Sequence, residues 1–528
     1  MTHEGPVYAA PRDWARMHPV SPVLKAWPAV VGVAVWWFYT GGPAWLGGGG
    51  DSEDIPSSFR LSLLALVGLA ILAALVVMAV SYVSWRMNRY RITDDALEQH
   101  KGVVFRQQRH ARLDRLQAVD VVQPLVARIF GFAKLSIEVA GGEDSSIALE
   151  FLRLGDAEAL RNEILALAAG RRVTKAREAS AAVPSLSPAD INPLSQEVVT
   201  EVPADAEREI YAVPLPRLLM SLLRSWGAIW AAVLVPVAIA VAIAATQNAS
   251  FREALLGVVG GSIAGLIGAV TGVGAFVFAM LNRGFNFRAA IAGDGIRLRH
   301  GLLETRRQTV PPGRVQAVRL QQSLLWRGKD WWHLSINVAG YQKDQEAVST
   351  LLPVGPRDEA ILALRLVLPH VTPALTAGSV SLSDDEDLGS VLDLAMDGTG
   401  DAGGFIASPL AARVLDPWQW RHRGVTATET ALIIRRGFFV REVFVVPHER
   451  TQSLALSQGP FQRALGLASV EVQSTAGPVK PVAHHVAVPD ALRLLDEQAT
   501  RARERRKVQT PEQWAKAVED LRIEAGPA

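Results

Sequence analysis

The sequence predicts a multi-domain membrane protein with two α-helical transmembrane hairpins and three small β-barrel or β-sandwich domains, each closed by a C-terminal helix. Three observations lead to this fold class. One stretch occurs three times without gaps, pairs of long charge-free segments precede the first two copies, and each copy ends in an amphipathic helical pattern. The repeat is considered first, because each copy of an internal repeat is one structural unit.

The repeat is defined by glycine, arginine and glutamine residues at fixed offsets. An arginine follows the opening glycine after 13 positions, a glutamine after 15, a second glutamine after 21 and a second arginine after 26. In order of offset, the residues are Gly102, Gly301 and Gly437; Arg115, Arg314 and Arg450; Gln117, Gln316 and Gln452; Gln123, Gln322 and Gln458; and Arg128, Arg327 and Arg463. The shared offsets indicate three copies of one domain.

Two roles are open for the repeated arginines and glutamines. As structural residues, a guanidinium and an amide can satisfy loop carbonyls that would otherwise be buried without a partner. As binding residues, three arginines at one topological site could hold lipid phosphates or a partner's carboxylate. The structural role is favoured, because a binding residue need not recur in every copy whereas a fold-determining residue must.

Composition limits the classes of function. Hydrophobic residues make up 49% of the 528 residues, which is high for a soluble protein, and the net charge of +2 does not indicate a nucleic-acid partner. The chain has no cysteine, which excludes disulfides, thiolate metal sites and a cysteine nucleophile. No histidine cluster, phosphate loop or nucleophile motif is recognisable. The sequence therefore predicts no cofactor, no metal and no enzymatic activity.

The hairpins are predicted from four segments without charged residues, which span 26–50, 61–85, 225–245 and 255–281. Each is long enough to cross a bilayer, for which about 20 apolar residues suffice. Arginines follow directly after residue 85, so the positive-inside rule places the N-terminus and the repeats on the cytoplasmic side of the cell membrane. The expected protein is integral and multi-pass.

The fourth charge-free segment carries small residues at helical spacing. Gly257, Gly261 and Gly265 are four residues apart, which allows two helix backbones to approach closely in lipid. A pore lining is the alternative. None of the four segments holds an ionisable residue, and such residues mark ion and proton pathways. A transporter or channel component is therefore less favoured.

Spacing and composition divide the chain into nine segments. They are a cytoplasmic N-terminal segment (1–25), the first hairpin (26–85), the first β-domain (86–170), a linker (171–212), the second hairpin (213–283), the second β-domain (284–370), an acidic linker (371–410), the third β-domain (411–506) and a C-terminal tail (507–528). The distance between opening glycines is 63 residues shorter from copy two to copy three than from copy one to copy two. This difference is about the length of one hairpin, so the third copy is expected to lack a hairpin. We therefore expect the third domain to fold alone.

A family resemblance follows from residues 445–477, VVPHERTQSLALSQGPFQRALGLASVEVQSTAG. This stretch resembles the signature of the bacterial PH-like domains in the YdbS/YdbT family of membrane proteins, and the resemblance covers all three copies. It implies a PH-like fold for each domain and no established catalytic activity. Copy two departs at Asp330, where the others have Gly131 and Gly466, so its turn is expected to differ.

The predicted function is a non-enzymatic binding scaffold for proteins at the cell envelope, through protein partners or self-association. Recognition of anionic lipid headgroups is the alternative. Around the third repeated turn basic and acidic residues are interleaved, and such a mixed surface attracts phosphates weakly once salt screens it. The basic helix end 501–507 fits either lipid docking or a solvated terminus. Trp326, Trp331 and Trp332 are read as core or contact residues in preference to a membrane-interface cluster.

Overall fold

The computed structural model describes the β-domains and part of the chain between them. The described residues are 13–21, 68, 76, 78–93, 95–102, 106–113, 116–139, 147–165, 167, 208–225, 227, 229–230, 232–233, 236–237, 240, 272, 274–292, 295–310, 313–339, 350–369, 371, 391–475 and 477–506. They belong to two compact units, 1–198 and 199–528, which are taken separately below.

The first unit contains the first repeat, in which the described strands are antiparallel. They are β1 (Ala15–Arg16), β2 (Arg89–Ile92), β3 (Ala96–Lys101), β4 (Gln107–Arg112), β5 (Leu116–Gln123), β6 (Phe132–Val139) and β7 (Ile147–Arg153). β1 to β4 pair in sequence order, and so do β5 to β7. Helical residues 154–165 bury Leu160 and Ile164 in the core formed by Leu97, Leu135 and Leu149. The helix therefore closes the domain, as predicted from its apolar stripe.

The second repeat has the same order of elements. Its described strands are β8 (Arg208–Ala212), β9 (Arg288–Ala292), β10 (Gly295–His300), β11 (Thr305–Val310), β12 (Val315–Ser323), β13 (Trp331–Val338) and β14 (Thr350–Pro356). Helix α1 (Leu125–Ile129) of the first repeat has its counterpart here in a 3-10 helix, Leu324–Lys329. Two longer helices are α2 (Leu215–Leu223), before β9, and α3 (Arg357–Val367), after β14. α3 buries Ala360, Ala363 and Leu364 against the strands.

The third repeat again has four strands, three strands and a helix among its described residues. They are β15 (Ile406–Ala407), β16 (Gly424–Ala427), β17 (Ala431–Arg436), β18 (Val440–Pro447), β19 (Ser453–Ser457), β20 (Leu467–Gln473) and β21 (Val482–Ala487). Helix α4 (Val391–Asp397) precedes them, α5 (Pro460–Ala464) lies between β19 and β20, and α6 (Val488–Arg506) closes the repeat. The 3-10 helices Ala402–Gly404, Leu410–Val414, Trp420–His422 and His448–Arg450 connect the rest.

Repeats two and three share one seven-stranded sheet, in the order β14-β13-β12-β18-β17-β16-β15. β12 of the second repeat pairs with β18 of the third, with Leu320 opposite Val443 and Ser323 opposite Val440. Val443 lies in the core of the second repeat, while Ala317 of β12 lies in the core of the third. The two repeats therefore form one folded body, and the expectation that the third folds alone has no support here.

Each repeat begins with a short strand, which a long segment separates from its partner in the first two repeats. Ala15 pairs with Tyr90 and Arg208 with Ile291, whereas in the third repeat Ile406 pairs with the nearby Val425. These first strands lie inside the segments predicted as the N-terminal segment and the two linkers. The acidic stretch 371–410 also contains α4, whose Val391 and Leu392 are buried. The shorter connection in repeat three accounts for the 63-residue difference in spacing.

The fold class predicted from the sequence needs one correction. Among the described residues, no helix combines the length and the apolar character that crossing a bilayer requires, so the two predicted transmembrane hairpins are not supported. Helix α2 instead buries Leu218 and Leu222 in the core of the second repeat, and Met280 packs against the same core. Most of 26–85 and the middle of 213–283, with Gly257, Gly261 and Gly265, lie outside the described residues, as does the 507–528 tail.

A buried histidine in the second repeat makes the stability of the fold depend on pH. His300 is 4% exposed and its ring stacks on Phe287 at 5.6 Å between centroids. Burial, with a smaller contribution from Arg306, lowers its pKa from 6.5 to about 4. Between these values the unfolded chain holds one more proton, so stability is complete above pH 6.5 and falls as the pH drops toward 4.

Acidification from pH 7 to pH 4 should lower the free energy of unfolding by roughly 2–3 kcal/mol less in His300→Leu than in the wild type, because leucine does not titrate. Hydrogen exchange of β9 and β10 at pH 7 and pH 4 measures it. Wild-type protein should lose more protection between these two conditions than the variant. Parallel losses in both proteins would show that His300 does not contribute.

Candidate functional site

The opening glycine of each repeat is required by the backbone. Gly102, Gly301 and Gly437 have φ angles of 112°, 118° and 97°, a region that residues with a Cβ rarely adopt. A Cβ on Gly301 would lie 1.8 Å from the Glu304 carbonyl oxygen, and one on Gly437 would lie 1.8 Å from the Val440 carbonyl oxygen. These glycines therefore fix a tight turn that a residue with a Cβ does not fit.

The second glutamine of each repeat also fixes the fold. Gln123 donates from Nε2 to the Phe132 carbonyl at 3.1 Å, and Gln458 donates to the equivalent Leu467 carbonyl at 2.9 Å. Both amides close the corner between β5 and β6, or between β19 and β20. A carbonyl that would otherwise lack a partner is satisfied in this way.

Copy two keeps this corner despite its different sequence. Gly131 and Gly466 have positive φ angles of 73° and 65°, and Asp330 in the same place has φ 47°. Its carboxylate accepts hydrogen bonds from Gln322 Nε2 and from Trp332 Nε1, both at 2.8 Å. All three repeats keep a residue with positive φ at this turn, but copy two reaches it through a 3-10 helix, and its glutamine binds the Asp330 carboxylate instead of a backbone carbonyl.

The first arginine and glutamine do not occupy one common site. Arg115 and the side chain of Gln117 lie outside the described residues. In repeat two Gln316 is buried and donates to the Arg314 carbonyl at 3.2 Å, whereas Gln452 of repeat three is exposed. The half-buried Arg450 places Nη2 3.6 Å from the point where a Cβ on Gly313 would lie. Arg450 therefore lies against the backbone of the second repeat.

The second arginines differ in the same way. Arg128 and Arg463 are exposed, whereas the half-buried Arg327 donates from Nη2 to the Phe438 carbonyl and faces the Phe438 ring at 5.9 Å. Burial, and next the charge of Arg441, lower the pKa of Arg327. This arginine joins repeat two to the turn between β17 and β18 and has no equivalent contact in the third repeat.

The junction of repeats two and three is held by further polar contacts. Asn337, 1% exposed, donates to the Val479 carbonyl at 2.7 Å and accepts from the Val479 amide at 2.9 Å. Asp397 of α4 pairs with Arg357 and with Arg441, both at 2.6 Å. These bonds connect β13, α3, α4 and β18 and the loop before β21, so polar contacts reinforce the sheet that the two repeats share.

An exposed apolar surface lies on the third repeat, and sequence reasoning missed it. Leu410, Val414 and Trp418 in the segment between β15 and β16 are 67%, 73% and 66% exposed, and Phe439 after β17 is 45% exposed. The Trp418 and Phe439 ring centroids are 6.2 Å apart, and Phe438 lies 6.3 Å from Trp418. We call Leu410, Val414, Trp418 and Phe439 the third-repeat patch.

The comparison with known families agrees with the threefold repeat. Residues 56–168, 211–364 and 385–502 each match the family described as Bacterial PH domain, and together they make up most of the chain. The chain belongs to this family. The resemblance drawn from residues 445–477 is thereby confirmed.

A curated relative is described as a transmembrane protein. The chain is 24% identical over 305 residues to "UPF0699 transmembrane protein YdbT" of Bacillus subtilis (strain 168). The match covers 56% of this chain and 59% of the relative, so the chain matches little more than half of the relative's length.

Within this bacterial PH domain protein, two of the three tryptophans singled out from the sequence are core residues. Trp332 is fully buried, and Trp326 is 5% exposed and donates from Nε1 to the Ser221 carbonyl at 3.1 Å. Trp331 is half-buried and lies 5.8 Å from the Arg224 guanidinium. The interpretation as core residues is confirmed for Trp326 and Trp332.

Proposed function

We propose that this bacterial PH domain protein is a membrane protein that acts as a non-enzymatic binding scaffold, with a protein partner on the third-repeat patch. The relative's printed description as a transmembrane protein supports a membrane location. The proposal includes a place for the domains on the cytoplasmic side of the cell membrane.

The third-repeat patch carries the proposal. Its tryptophan and phenylalanine are the residue types enriched at the centres of protein interfaces, and the exposed Arg413 stands within the same segment. Exposed apolar groups of this kind on a folded surface mark interaction sites. The shared sheet below holds the patch in one arrangement, which reduces the entropy lost on binding.

The charges around the same turn favour a protein over anionic lipid. Arg436 is paired with Glu442 at 2.7 Å, and Arg441 with Asp397 at 2.6 Å. Arg435 is buried and donates from Nη1 to the Leu394 carbonyl at 2.7 Å. Three basic side chains near the patch thus have partners within the protein and contribute little to a phosphate-binding surface.

A site-specific photo-cross-linker tests the partner. We expect p-benzoylphenylalanine in place of Trp418 or Phe439, in the full-length protein in cells, to form a protein adduct of defined mass. The matched control replaces Leu492, which is 54% exposed on α6, and should form none. Val414→Asp should abolish the adduct at Trp418, because a carboxylate opposes burial of the patch.

The other outcomes discriminate between partners. If the cross-linker at Trp418 and Phe439 formed adducts with lipid only, the protein-scaffold proposal would be wrong and lipid binding would be supported instead. Equal protein adducts at Leu492 would mean that the patch has no special role.

A further inference from the structure

The second unit contains a cavity that the scaffold function does not use. Its volume is about 470 Å³, and it lies between helix α2 with Ser225 and Gly227 and helical residues 274–284 on one side and strands β12 and β13 on the other. Ligand pockets typically measure about 300–1,000 Å³, so the cavity has the size of a small-molecule site.

One side of the cavity is a connected polar cluster. His333 donates from Nδ1 to the Pro353 carbonyl at 3.1 Å, which leaves Nε2 to accept from the Ser335 hydroxyl at 3.0 Å. Ser335 Oγ in turn accepts from Arg319 Nη2 at 3.4 Å. Burial is the main cause that lowers the pKa of His333 to about 4, so its imidazole is neutral at neutral pH.

The cavity is electropositive. Among the described residues that line it are Arg283 and Arg319 but no aspartate or glutamate. Glu442 approaches Arg319 at 3.6 Å, but it is also paired with Arg436 at 2.7 Å, so one carboxylate is shared by two guanidinium groups. Burial lowers the pKa of Arg319, yet a guanidinium stays protonated in proteins.

Two polar atoms at the cavity lack partners in the described part of the chain. Arg319 Nε and Ser323 Oγ are both buried and make no hydrogen bond there. Buried polar groups are nearly always satisfied, so each such atom calls for an explanation. A carboxylate bound beside Arg319 would supply a partner for its Nε, since a guanidinium donates strong hydrogen bonds to an oxyanion.

The helical side of the cavity is apolar except for Ser225 and Arg283. Leu218, Phe276 and Met280 line it, together with Trp326 from the 3-10 helix after β12. The two helical stretches touch closely, because a Cβ on Gly227 would lie 2.5 Å from the Phe276 ring. The apolar part of this surface suits a hydrocarbon chain.

We propose that the cavity binds a single-chain anionic amphiphile of the fatty-acid type. The carboxylate lies at Arg319, and the chain lies along Leu218 and Met280. The charge selects the head group, and burial of the hydrocarbon chain favours an amphiphile over a small hydrophilic anion.

Photolabelling tests the site in the full-length protein in phosphatidylcholine nanodiscs. A diazirine-bearing palmitate should label peptides that contain Leu218, Met280 or Trp326. Excess oleate should displace the label, and oleyl alcohol, with the same chain and no charge, should require at least about tenfold more. Arg319→Gln should raise the oleate concentration for half-displacement about tenfold, because a charge-assisted hydrogen bond is lost.

Arg299→Gln is the matched control. Arg299 is exposed on β10 and does not line the cavity, so displacement by oleate should stay unchanged. Should Arg319→Gln fail to fold, Met280→Trp fills the apolar side and should abolish labelling. Equal displacement by oleate and oleyl alcohol, equal behaviour of Arg319→Gln and Arg299→Gln, or full labelling of Met280→Trp would each overturn the proposal.

Discussion

Leu320→Asp should unfold the second and third repeats together. Leu320 is fully buried on β12, opposite Val443 of β18, in the core that both repeats contribute to. An aspartate there places an unpaired carboxylate in an apolar site, which costs more than about 4 kcal/mol. Hydrogen exchange should show protection lost in β10 of repeat two and in β17 of repeat three at the same denaturant concentration.

The control for this prediction is Leu456→Asp on β19, where the side chain is 38% exposed. We expect it to change protection by less than about 1 kcal/mol, since its carboxylate remains in water. If β17 kept its protection in Leu320→Asp while β10 lost it, repeats two and three would be independent domains. The pairing of β12 with β18 would then contribute little to stability.

The parts of the fold that depend on local sequence could be predicted. The opening glycines, the corner glutamines and the closing helices recur at fixed offsets, because each acts within its own repeat. The strands β1 and β8 could not be found in this way. They are two and five residues long, and their partners Tyr90 and Ile291 lie more than seventy residues further along the chain.

The candidate site was predictable only to the level of residue type. Equal offsets place Arg327 and Arg463 on equivalent elements, but Arg327 meets Phe438 of the next repeat whereas Arg463 is exposed. Contacts between repeats therefore decide what each copy of a residue does. The sequence pattern within one repeat does not show which residues contact another repeat. The pairing of β12 with β18 could not be predicted for the same reason.

The third-repeat patch did leave a signal in the sequence. Leu410, Val414 and Trp418 are spaced four residues apart, a pattern typical of one side of a helix. The structure forms only a 3-10 helix over Leu410–Val414, and Trp418 lies in a turn. The charge-free run here, residues 402–412, is too short to cross a bilayer and follows an acidic segment, so composition does not set the stretch apart from a linker. Its exposure, which shows that this apolar side is not core, is a property of the fold alone.

Gly437→Ala should destabilise the joined repeats by at least about 3 kcal/mol, because strain at φ 97° adds to a direct clash. The new Cβ would lie 1.8 Å from the Val440 carbonyl oxygen, and that carbonyl belongs to the first residue of β18. Relief of the clash must move the strand that pairs with β12. Exchange protection of β12 and β18 in the full-length protein measures the loss.

Gly466→Ala separates the clash from the strain. Gly466 also has a positive φ, 65°, but nothing lies within 4 Å of a Cβ built on it, so only the left-handed penalty of about 1–2 kcal/mol applies. Equal losses in the two variants would mean that the turn at Gly437 relaxes freely and that steric closeness does not explain the repeated glycine. A larger loss at Gly437, matched by Gly301→Ala with its own 1.8 Å approach to Glu304, would show that the repeat begins on glycine because the turn admits no side chain.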